Sequence, residues 1–287
     1  MTNRGKKAII FVRPAAWLCA LVLLFFSLSF AACGSNSSDF DLDKCTPVET
    51  ALTGKTFYWL GSSVTLGMES GEVAVADYIA ARNGATCVKE AVSGTTLIDE
   101  PYKKLFKSYD SYITRLKTTE VFDRSKKIDA FFCQISTNDA KDEFKDKRGV
   151  VTDRATTDKD KFDTKTTLGA MEYVAAYVRE TWNCPVYFFS NARFDDTGLR
   201  KNKDPKGSEY AQLVKAAHEI ADKWNAVGGD VRVIDLFNDE EFNNISDEDY
   251  GFYMHDPVHP YKAGYLKWWT PAFEKILFED FGAEVQG

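Results

Sequence analysis

The sequence predicts an α/β protein, a three-layer α/β/α sandwich built around a five-stranded parallel sheet. Five short apolar runs alternate along the chain with longer amphipathic stretches. Strands separated by helix-length segments are typical of right-handed crossovers, which give a parallel sheet with helices on both faces. One run, AFFCQI at 130–135, is too apolar for a strand with a solvent-facing side and indicates burial on both faces. The alternation runs to the end of the chain, so we predict no second domain.

Composition and periodicity define the individual elements. We predict strands at 56–62, 86–92, 128–136, 185–191 and 231–237. We predict helices at roughly 69–83, 102–122, 166–182, 207–226 and 262–279. In the fourth of these helices the apolar residues from Leu213 to Trp224 recur at intervals of three and four, which places them on one face.

One segment, 140–165, interrupts this alternation. It is highly charged and has little apolar periodicity, so a solvated loop is the simplest interpretation. It directly follows the third predicted strand. Because ligands of parallel α/β sheets bind outside the carboxyl ends of the strands, the segment is also a candidate lid or rim of a functional site.

The first 32 residues have the features of a secretory signal. Four basic residues precede an apolar run at 15–32. The small residues before Cys33 resemble the lipobox of bacterial lipoproteins, in which the cysteine is diacylated and becomes the N-terminus. We therefore expect a signal peptide at 1–32, a lipidated cysteine and flexible tether at 33–50, and one large domain at 51–287. The expected location is the cell membrane, facing the extracellular side or the periplasm. A plain transmembrane anchor is the alternative.

Charge and cysteine content narrow the possible partners. The net charge is −7, and the signal holds basic but no acidic residues, so the remaining chain is more acidic still. Such a surface disfavours nucleic acid and anionic lipid. No phosphate-binding glycine loop or metal-ligand spacing occurs, so we expect no cofactor and no metal. Export permits a disulfide, for which Cys45 with Cys87 is our only candidate pair. Cys133 lies in an apolar run and is expected to be a buried thiol.

Four short segments follow predicted strands and should meet at one edge of the sheet. They are GSSVTLG at 61–67, SGTT at 93–96, STND at 136–139 and DPVH at 256–259. Alone, each is readily a helix cap, a turn or a loop. Together they offer a hydroxyl, backbone and amide donors and an Asp–His pair, which is the chemistry that nucleophilic catalysis needs.

These segments resemble the four sequence blocks of the SGNH/GDSL hydrolase superfamily of esterases and lipases. That family has Gly-Asp-Ser-x-Thr-x-Gly, a glycine, Gly-x-Asn-Asp and Asp-x-x-His, and the resemblance extends from 57 to about 270. It implies a flavodoxin-like sandwich. Two positions depart from the pattern, since Ser62 stands in place of Asp and Ser136 in place of Gly. We expect Ser136 to narrow the pocket or to change the backbone beside it.

The candidate catalytic residues are Ser63, His259 and Asp256. A serine hydroxyl needs an adjacent base, and of the three histidines His259 is the best placed, with Asp256 able to orient its ring. By register with the family block the nucleophile is Ser63 and not Ser62. The chain has no Gly-x-Ser-x-Gly elbow, which argues against an ordinary α/β-hydrolase.

The resemblance also implies an oxyanion hole made by the backbone N–H groups of Ser63 and Gly94 and the side-chain amide of Asn138. Asp139, Tyr253 and His255 are further candidates for substrate binding. Aromatic residues near the last block are candidates to stack on sugar rings, with core packing as the alternative: Phe252, Tyr253, Tyr261, Tyr265, Trp268 and Trp269.

We therefore predict a serine esterase that removes small acyl groups, most plausibly O-acetyl groups on carbohydrate. The expected partners are an acyl ester or acetylated glycan and the membrane through the lipid anchor, and the sequence leaves the oligomeric state open. A lipase or lysophospholipase is the second enzymatic reading. A noncatalytic, lipid-anchored glycan-binding protein is the alternative from another class.

Overall fold

A computed structural model describes residues 35–104 and 107–282. The predicted signal at 1–32 and the predicted lipidation site Cys33 lie outside the described residues. The strands are β1 (Thr56–Gly61), β2 (Thr86–Ala91), β3 (Tyr102–Lys104), β4 (Lys107–Tyr109), β5 (Ala130–Gln134), β6 (Val186–Phe189) and β7 (Val231–Ile234). The helices are α1 (Ser63–Leu66), α2 (Val75–Asn83), α3 (Tyr112–Thr118), α4 (Thr167–Thr181), α5 (Gly207–Asn225), α6 (Glu240–Asn243), α7 (Asp247–Tyr253), α8 (Lys262–Gly264) and α9 (Thr270–Gly282), with a π-helical turn at Tyr265–Trp269 between the last two.

Five of the strands form one parallel sheet in the order β2-β1-β5-β6-β7. This is the flavodoxin-like order, in which the chain moves outward from β1 in both directions. The direction reverses between β1 and β5, and the loops after these two strands therefore separate to leave a crevice at their carboxyl ends. The predicted fold class is confirmed.

Aromatic side chains fill both faces of the sheet. Side chains alternate between faces along a strand, so Trp59 and its register partner Phe132 share one face, where their rings stack with centroids 4.0 Å apart. Phe273 of α9 covers this face. The neighbouring residue Tyr58 points to the other face and packs against Trp182 at the end of α4. Such pairs each add about 0.5–1.5 kcal/mol beyond the burial of their area.

The predicted helix at 102–122 differs from the structure, and the predicted helix at 69–83 is an α-helix only from Val75 onward. The stretch 102–122, which was predicted as one helix, begins with the antiparallel hairpin β3–β4, and only 112–118 is helical. The two strands, Tyr-Lys-Lys and Lys-Ser-Tyr, have no apolar-polar alternation that would mark them as strands in the sequence. The charged segment 140–165 contains two short 3₁₀ turns, at 142–147 and 159–161, and is otherwise irregular.

The charged segment is anchored to the helices behind it. Glu172 of α4 and Lys223 of α5 form a buried ion pair, and Thr152 of the segment bonds both of them. Thr152 also donates its backbone N–H to Glu172, at 3.1 Å. Phe162 is buried beneath the ammonium group of Lys223. Because Thr152 hydrogen-bonds both members of this buried pair, the segment is tied to the two helices.

Residues 35–50 differ from the expected flexible tether because they pack on the domain. The side chain of Asn36 bonds the carbonyl of Glu69 at 3.0 Å and the backbone N–H of Lys262 at 3.1 Å. Phe40 is buried, and its carbonyl accepts the hydroxyl of Tyr78 at 2.6 Å. Apolar and amide side chains, which stand among serines and aspartates in the sequence, supply this packing.

The four cysteines of the described residues are all free thiols. The expected Cys45–Cys87 disulfide is therefore absent. Cys87 lies in β2, where burial raises the pKa of its thiol to about 12. Cys133 is fully buried in β5, as predicted. Within the described ranges no helix is both long and apolar enough to cross a membrane.

Candidate active site

The first block forms a tight turn from β1 into the single-turn helix α1. Ser62 precedes the helix, and Gly67 ends it with a left-handed φ of 83°. A buried glutamine of β5, Gln134, fixes the turn. Its Oε1 atom accepts the backbone N–H groups of Ser62 at 3.0 Å and Thr65 at 3.2 Å, and the hydroxyl of Thr65 at 2.8 Å. Gly61 is required here because a Cβ atom would lie 1.8 Å from the hydroxyl oxygen of Thr65.

The turn presents Ser63, and not Ser62, to the last block. The Oγ atom of Ser63 lies 2.8 Å from Nε2 of His259, although the two residues are 196 positions apart. Ser62 is fully buried, and its hydroxyl is 3.5 Å from Gln134. The structure thus brings the serine selected by register into contact with the predicted base.

Asp256 completes a hydrogen-bonded chain through His259. The Nδ1 atom of His259 lies 2.8 Å from Oδ2 and 3.0 Å from Oδ1 of the carboxylate. Oδ1 also accepts the backbone N–H groups of Val258, at 2.7 Å, and His259, at 2.8 Å. Because an ionised carboxylate only accepts, Nδ1 carries the proton and Nε2 is left as the acceptor for Ser63.

The carboxylate is held in its charged form. Burial by itself would raise the pKa of Asp256, but the hydrogen bond and charge of His259 and the two backbone N–H groups outweigh it. The pKa of Asp256 therefore lies below its usual value. The geometry is a local one, since the two residues belong to one turn and the Asp256 side chain remains 40% exposed.

The second block places Gly94 at the same sheet edge. Its φ is 82°, which side-chain-bearing residues rarely adopt, and a Cβ atom would lie 2.5 Å from the ring of Tyr102. The next residue, Thr95, is buried and closes a turn through a bond from its hydroxyl to the carbonyl of Val92 at 2.7 Å. Only glycine fits where the hairpin ring approaches the backbone so closely.

The third block follows β5 and carries Asn138. One N–H of its amide bonds the carbonyl of Thr95 at 3.0 Å, which fixes the plane of the amide and leaves its second N–H for another acceptor. Ser136 is fully buried, and its hydroxyl accepts the backbone N–H of Asn138 at 3.2 Å. Its φ of −68° is open to any residue. Ser136 therefore caps the turn that holds Asn138 and does not project into the crevice, contrary to the expected narrowing.

Asp139 does not fit the predicted role in substrate binding. It is buried, and its carboxylate accepts the backbone N–H groups of Leu97 at 2.8 Å and Ile98 at 3.2 Å. Burial raises the pKa of Asp139 to about 6, against the lowering effect of these hydrogen bonds. Its carboxylate joins the second and third blocks, so Asp139 is a structural residue of the site.

Tyr253, another predicted substrate-binding residue, lies apart from the site. Tyr253 stacks on Trp268, with ring centroids 6.0 Å apart, and lines a groove beside Glu274. Within the described residues, no hydrogen bond or ring contact joins its side chain to Ser63 or His259. The neighbouring Trp268 and Trp269 are buried in the core. For these two residues the structure agrees with core packing, the alternative to stacking on sugar rings.

His255 lies at the rim of the site. Its backbone N–H bonds the carbonyl of His259 at 2.9 Å. On its half-exposed ring, Nδ1 is 3.1 Å from the hydroxyl of Tyr261 and Nε2 is 3.8 Å from the carboxylate of Glu69. Across the described residues, no group of three or more His, Cys, Asp or Glu side chains is arranged to hold a metal ion.

Two residues that organise this site were not predicted from the sequence. Gln134 shapes the turn that carries Ser63, and its only sequence signal is a polar amide in an apolar strand. Arg115 of α3 is buried, and its guanidinium donates to the carbonyl of Gly61 at 2.9 Å and the hydroxyl of Thr95 at 3.0 Å. It also bonds the carboxylate of Glu90 at 3.3 Å. An arginine on the apolar face of a predicted helix is the signal that could have found it.

Comparison with known proteins supports the fold. No protein-family model matches the sequence, and a search of curated proteins found no relative. The chain is similar in structure to a protein from Lactobacillus plantarum, at 19% identity and a TM-score of 0.54, over 78% of this chain and 97% of the other. It is similar to a "putative arylesterase" from Agrobacterium tumefaciens str. C58, at 14% identity and a TM-score of 0.50, over 79% and 97%.

A third similar structure is a carbohydrate acetylesterase family member from Sinorhizobium meliloti, at 14% identity and a TM-score of 0.47, over 78% and 99%. The structural neighbours of this chain thus include arylesterases and carbohydrate acetylesterases. At these identities the first two similarities show a shared fold.

Proposed function

We propose that this protein is a serine ester hydrolase of the SGNH/GDSL type, with Ser63 as nucleophile, His259 as general base and Asp256 as the group that orients it. The observation that carries the proposal is the continuous hydrogen-bonded chain from Ser63 Oγ through the His259 ring to Asp256, with steps of 2.8 Å and 2.8 Å. The esterases among its structural neighbours agree with this reaction class.

The acylation step follows from the protonation states. As the Oγ atom of Ser63 attacks the ester carbonyl carbon, its proton passes to Nε2 of His259. The ring becomes cationic and is stabilised by the ionised Asp256. When the tetrahedral intermediate collapses, the ring gives this proton to the departing alcohol oxygen, and the acyl group remains bonded to Ser63. A water molecule activated by the same nitrogen then releases the acid and restores the serine.

The negative oxygen of the intermediate needs preorganised donors. We assign this role to the backbone N–H groups of Ser63 and Gly94 and to the free amide N–H of Asn138. The positive φ of Gly94 and the bond from Asn138 to Thr95 fix two of these donors before substrate binds. Preorganised donors incur no reorganisation cost in the transition state.

The substrate class that we propose is a small acyl ester, an O-acetyl group on carbohydrate in particular. Export, predicted from the N-terminal signal, would place the enzyme among extracellular glycans. We also propose that Cys33 is lipidated and anchors the protein to the outer side of a membrane. The packing of 35–50 on the domain would then keep the domain close to that anchor.

The doubled serine supplies the sharpest test. We expect Ser63→Ala to abolish hydrolysis of p-nitrophenyl acetate and Ser62→Ala to retain most of it, because only Ser63 reaches His259. Circular dichroism and thermal unfolding of both variants serve as the control for folding. Turnover that survives Ser63→Ala but not Ser62→Ala would overturn the assignment, and a wild-type protein no more active than Ser63→Ala would overturn the enzyme proposal.

A further inference from the structure

The hairpin β3–β4 stands beside the oxyanion loop. It follows β2 and the Gly94 loop in the chain, at the carboxyl edge of the sheet. The ring of half-buried Tyr102 lies so close to Gly94 that a Cβ atom there would be 2.5 Å from it. Any group bonded to an ester carbonyl at Gly94 would therefore lie near this hairpin.

The strand register determines which side chains share a face. Tyr102 pairs with Tyr109, and Lys104 pairs with Lys107. Cross-strand partners lie on the same face, and so do residues two apart along a strand. The face that includes Tyr102 thus carries two tyrosines, with ring centroids 6.2 Å apart, followed by two lysines. Lys103 and Ser108 lie on the opposite face.

The lysines of this face are uncompensated. In the part of the chain that the structure describes, Lys104 and Lys107 form no ion pair, and both are exposed. The acidic residues just before the hairpin already form ion pairs: Asp99 pairs with Lys117, and Glu100 pairs with Lys147. Asp110, which follows the hairpin, is exposed and bonds Arg115 through its carbonyl. Like charges directly opposite each other destabilise a hairpin. Lys104 and Lys107 therefore repel each other, and a bound anion would reduce this repulsion.

We propose that this face is a subsite for an acidic glycan whose carboxylates lie one or two sugar units from the esterified one. The inference rests on the proposed esterase function and names its substrate class. The tyrosine rings offer surfaces on which sugar rings stack, and the two ammonium groups pair with carboxylates. The chain as a whole is acidic, with a net charge of −7 that includes the hairpin lysines. An acidic polymer is therefore repelled by most of the surface and directed to the hairpin.

The test compares two acetylated substrates. We expect the wild-type enzyme to have a higher kcat/KM for acetylated oligogalacturonate than for acetylated xylo-oligosaccharide of equal length. The double variant Lys104→Gln/Lys107→Gln should lower this ratio about three- to tenfold, since each exposed ion pair contributes modestly. The matched control is Lys126→Gln/Lys127→Gln, which removes the same charge from exposed residues before β5, at the amino edge of the sheet. The control should leave the ratio unchanged.

Salt and direct binding provide two further readouts. The preference should shrink as salt rises from about 0.01 M to about 1 M, because the Debye length falls from about 30 Å to about 3 Å. Calorimetry with unacetylated oligogalacturonate and the Ser63→Ala variant should detect binding that the hairpin double variant loses.

The outcomes separate this inference from the proposed function. A ratio that falls equally in the hairpin and control variants, or no preference for the acidic substrate, overturns the subsite. Absence of any hydrolysis that depends on Ser63 overturns the esterase proposal, and hairpin-dependent binding in calorimetry would then still support an acidic-glycan site.

Discussion

Replacement of Arg115 tests whether the oxyanion site depends on a buried cation behind it. Arg115 is 6% exposed, and its guanidinium donates to Gly61 and Thr95, on the Ser63 side and the Gly94 side of the crevice, and to Glu90. Burial lowers the pKa of Arg115 from its usual value, and nearby Tyr112 and Glu90 act in the opposite direction. Arg115→Met removes the cation and leaves its acceptors without this donor.

The expected cost can be worked from these contacts. Breaking a buried ion pair by removing one partner costs about 3–5 kcal/mol. For a domain of this size each kcal/mol lost from the free energy of unfolding lowers Tm by about 2–4 °C. The Tm of Arg115→Met should therefore lie roughly 10 °C below that of the wild type. Arg115→Lys keeps the charge but has three donors in place of five. It should cost about 1–2 kcal/mol, on the basis of about 0.5–1.5 kcal/mol for each hydrogen bond lost.

The functional readout distinguishes positioning from stability alone. Misplaced donors weaken binding of the transition state more than of the ester. We therefore expect Arg115→Lys to lower kcat for p-nitrophenyl acetate about tenfold or more with little change in KM, at a temperature where the variant is fully folded. Arg124→Met is the control, because exposed Arg124 bonds Tyr177 and several carbonyls that water can satisfy instead. A wild-type Tm and kcat in Arg115→Met would refute the reasoning.

Three further predictions follow from single contacts. Asn138→Ala should lower kcat about 10²–10³-fold in steady-state kinetics through loss of an oxyanion donor; an unchanged kcat would remove it from the site. Asn36→Ala should cost about 1 kcal/mol in urea unfolding because it bonds both Glu69 and Lys262, whereas the exposed Asn244→Ala should not. The hydrogen bond to Asp235 raises the pKa of His218. The pair therefore stabilises the fold fully below about pH 6.5, and this stabilisation is lost as the pH rises through the raised pKa of His218. His218→Gln should remove up to about 1 kcal/mol of this pH-dependent stability in urea unfolding at about pH 6 and pH 9.

Periodicity identified the elements whose burial is regular. The five sheet strands and the helices at 167–181 and 207–225 lie within a few residues of their predicted bounds, since continuous apolar runs and one-sided apolar faces leave little choice of structure. The hairpin at 102–109 was missed because strand and helix patterns overlap in a short stretch that mixes lysines and aromatics. The packing of 35–50 was missed because its contacts, such as Asn36 to Lys262, join residues more than 200 positions apart.

The candidate catalytic residues could be predicted from the sequence. The residues that only position them could not. Ser63 and Asn138 were selected because they match blocks of the SGNH/GDSL family. His259 was selected because a serine nucleophile needs an adjacent base and the chain has three histidines. Asp139 was assigned to substrate binding because it adjoins Asn138, but sequence adjacency does not specify direction. In the structure its carboxylate points to the backbone of Leu97 and Ile98.

The two departures from the family pattern have different physical consequences. At Ser136 the backbone has an ordinary negative φ, so a side chain is tolerated, and its hydroxyl caps the turn that carries Asn138. At Ser62 the side chain is buried and makes one long contact with Gln134, while its backbone N–H makes the shorter bond at 3.0 Å. Position 62 therefore contributes its backbone N–H to the turn. Any residue that fits the space, proline excepted, would supply the same donor. The orientation of the turn that carries Ser63 thus depends on Gln134, a strand residue 72 positions from Ser62. A substitution at Gln134 should therefore disturb the position of Ser63 more than a substitution at Ser62.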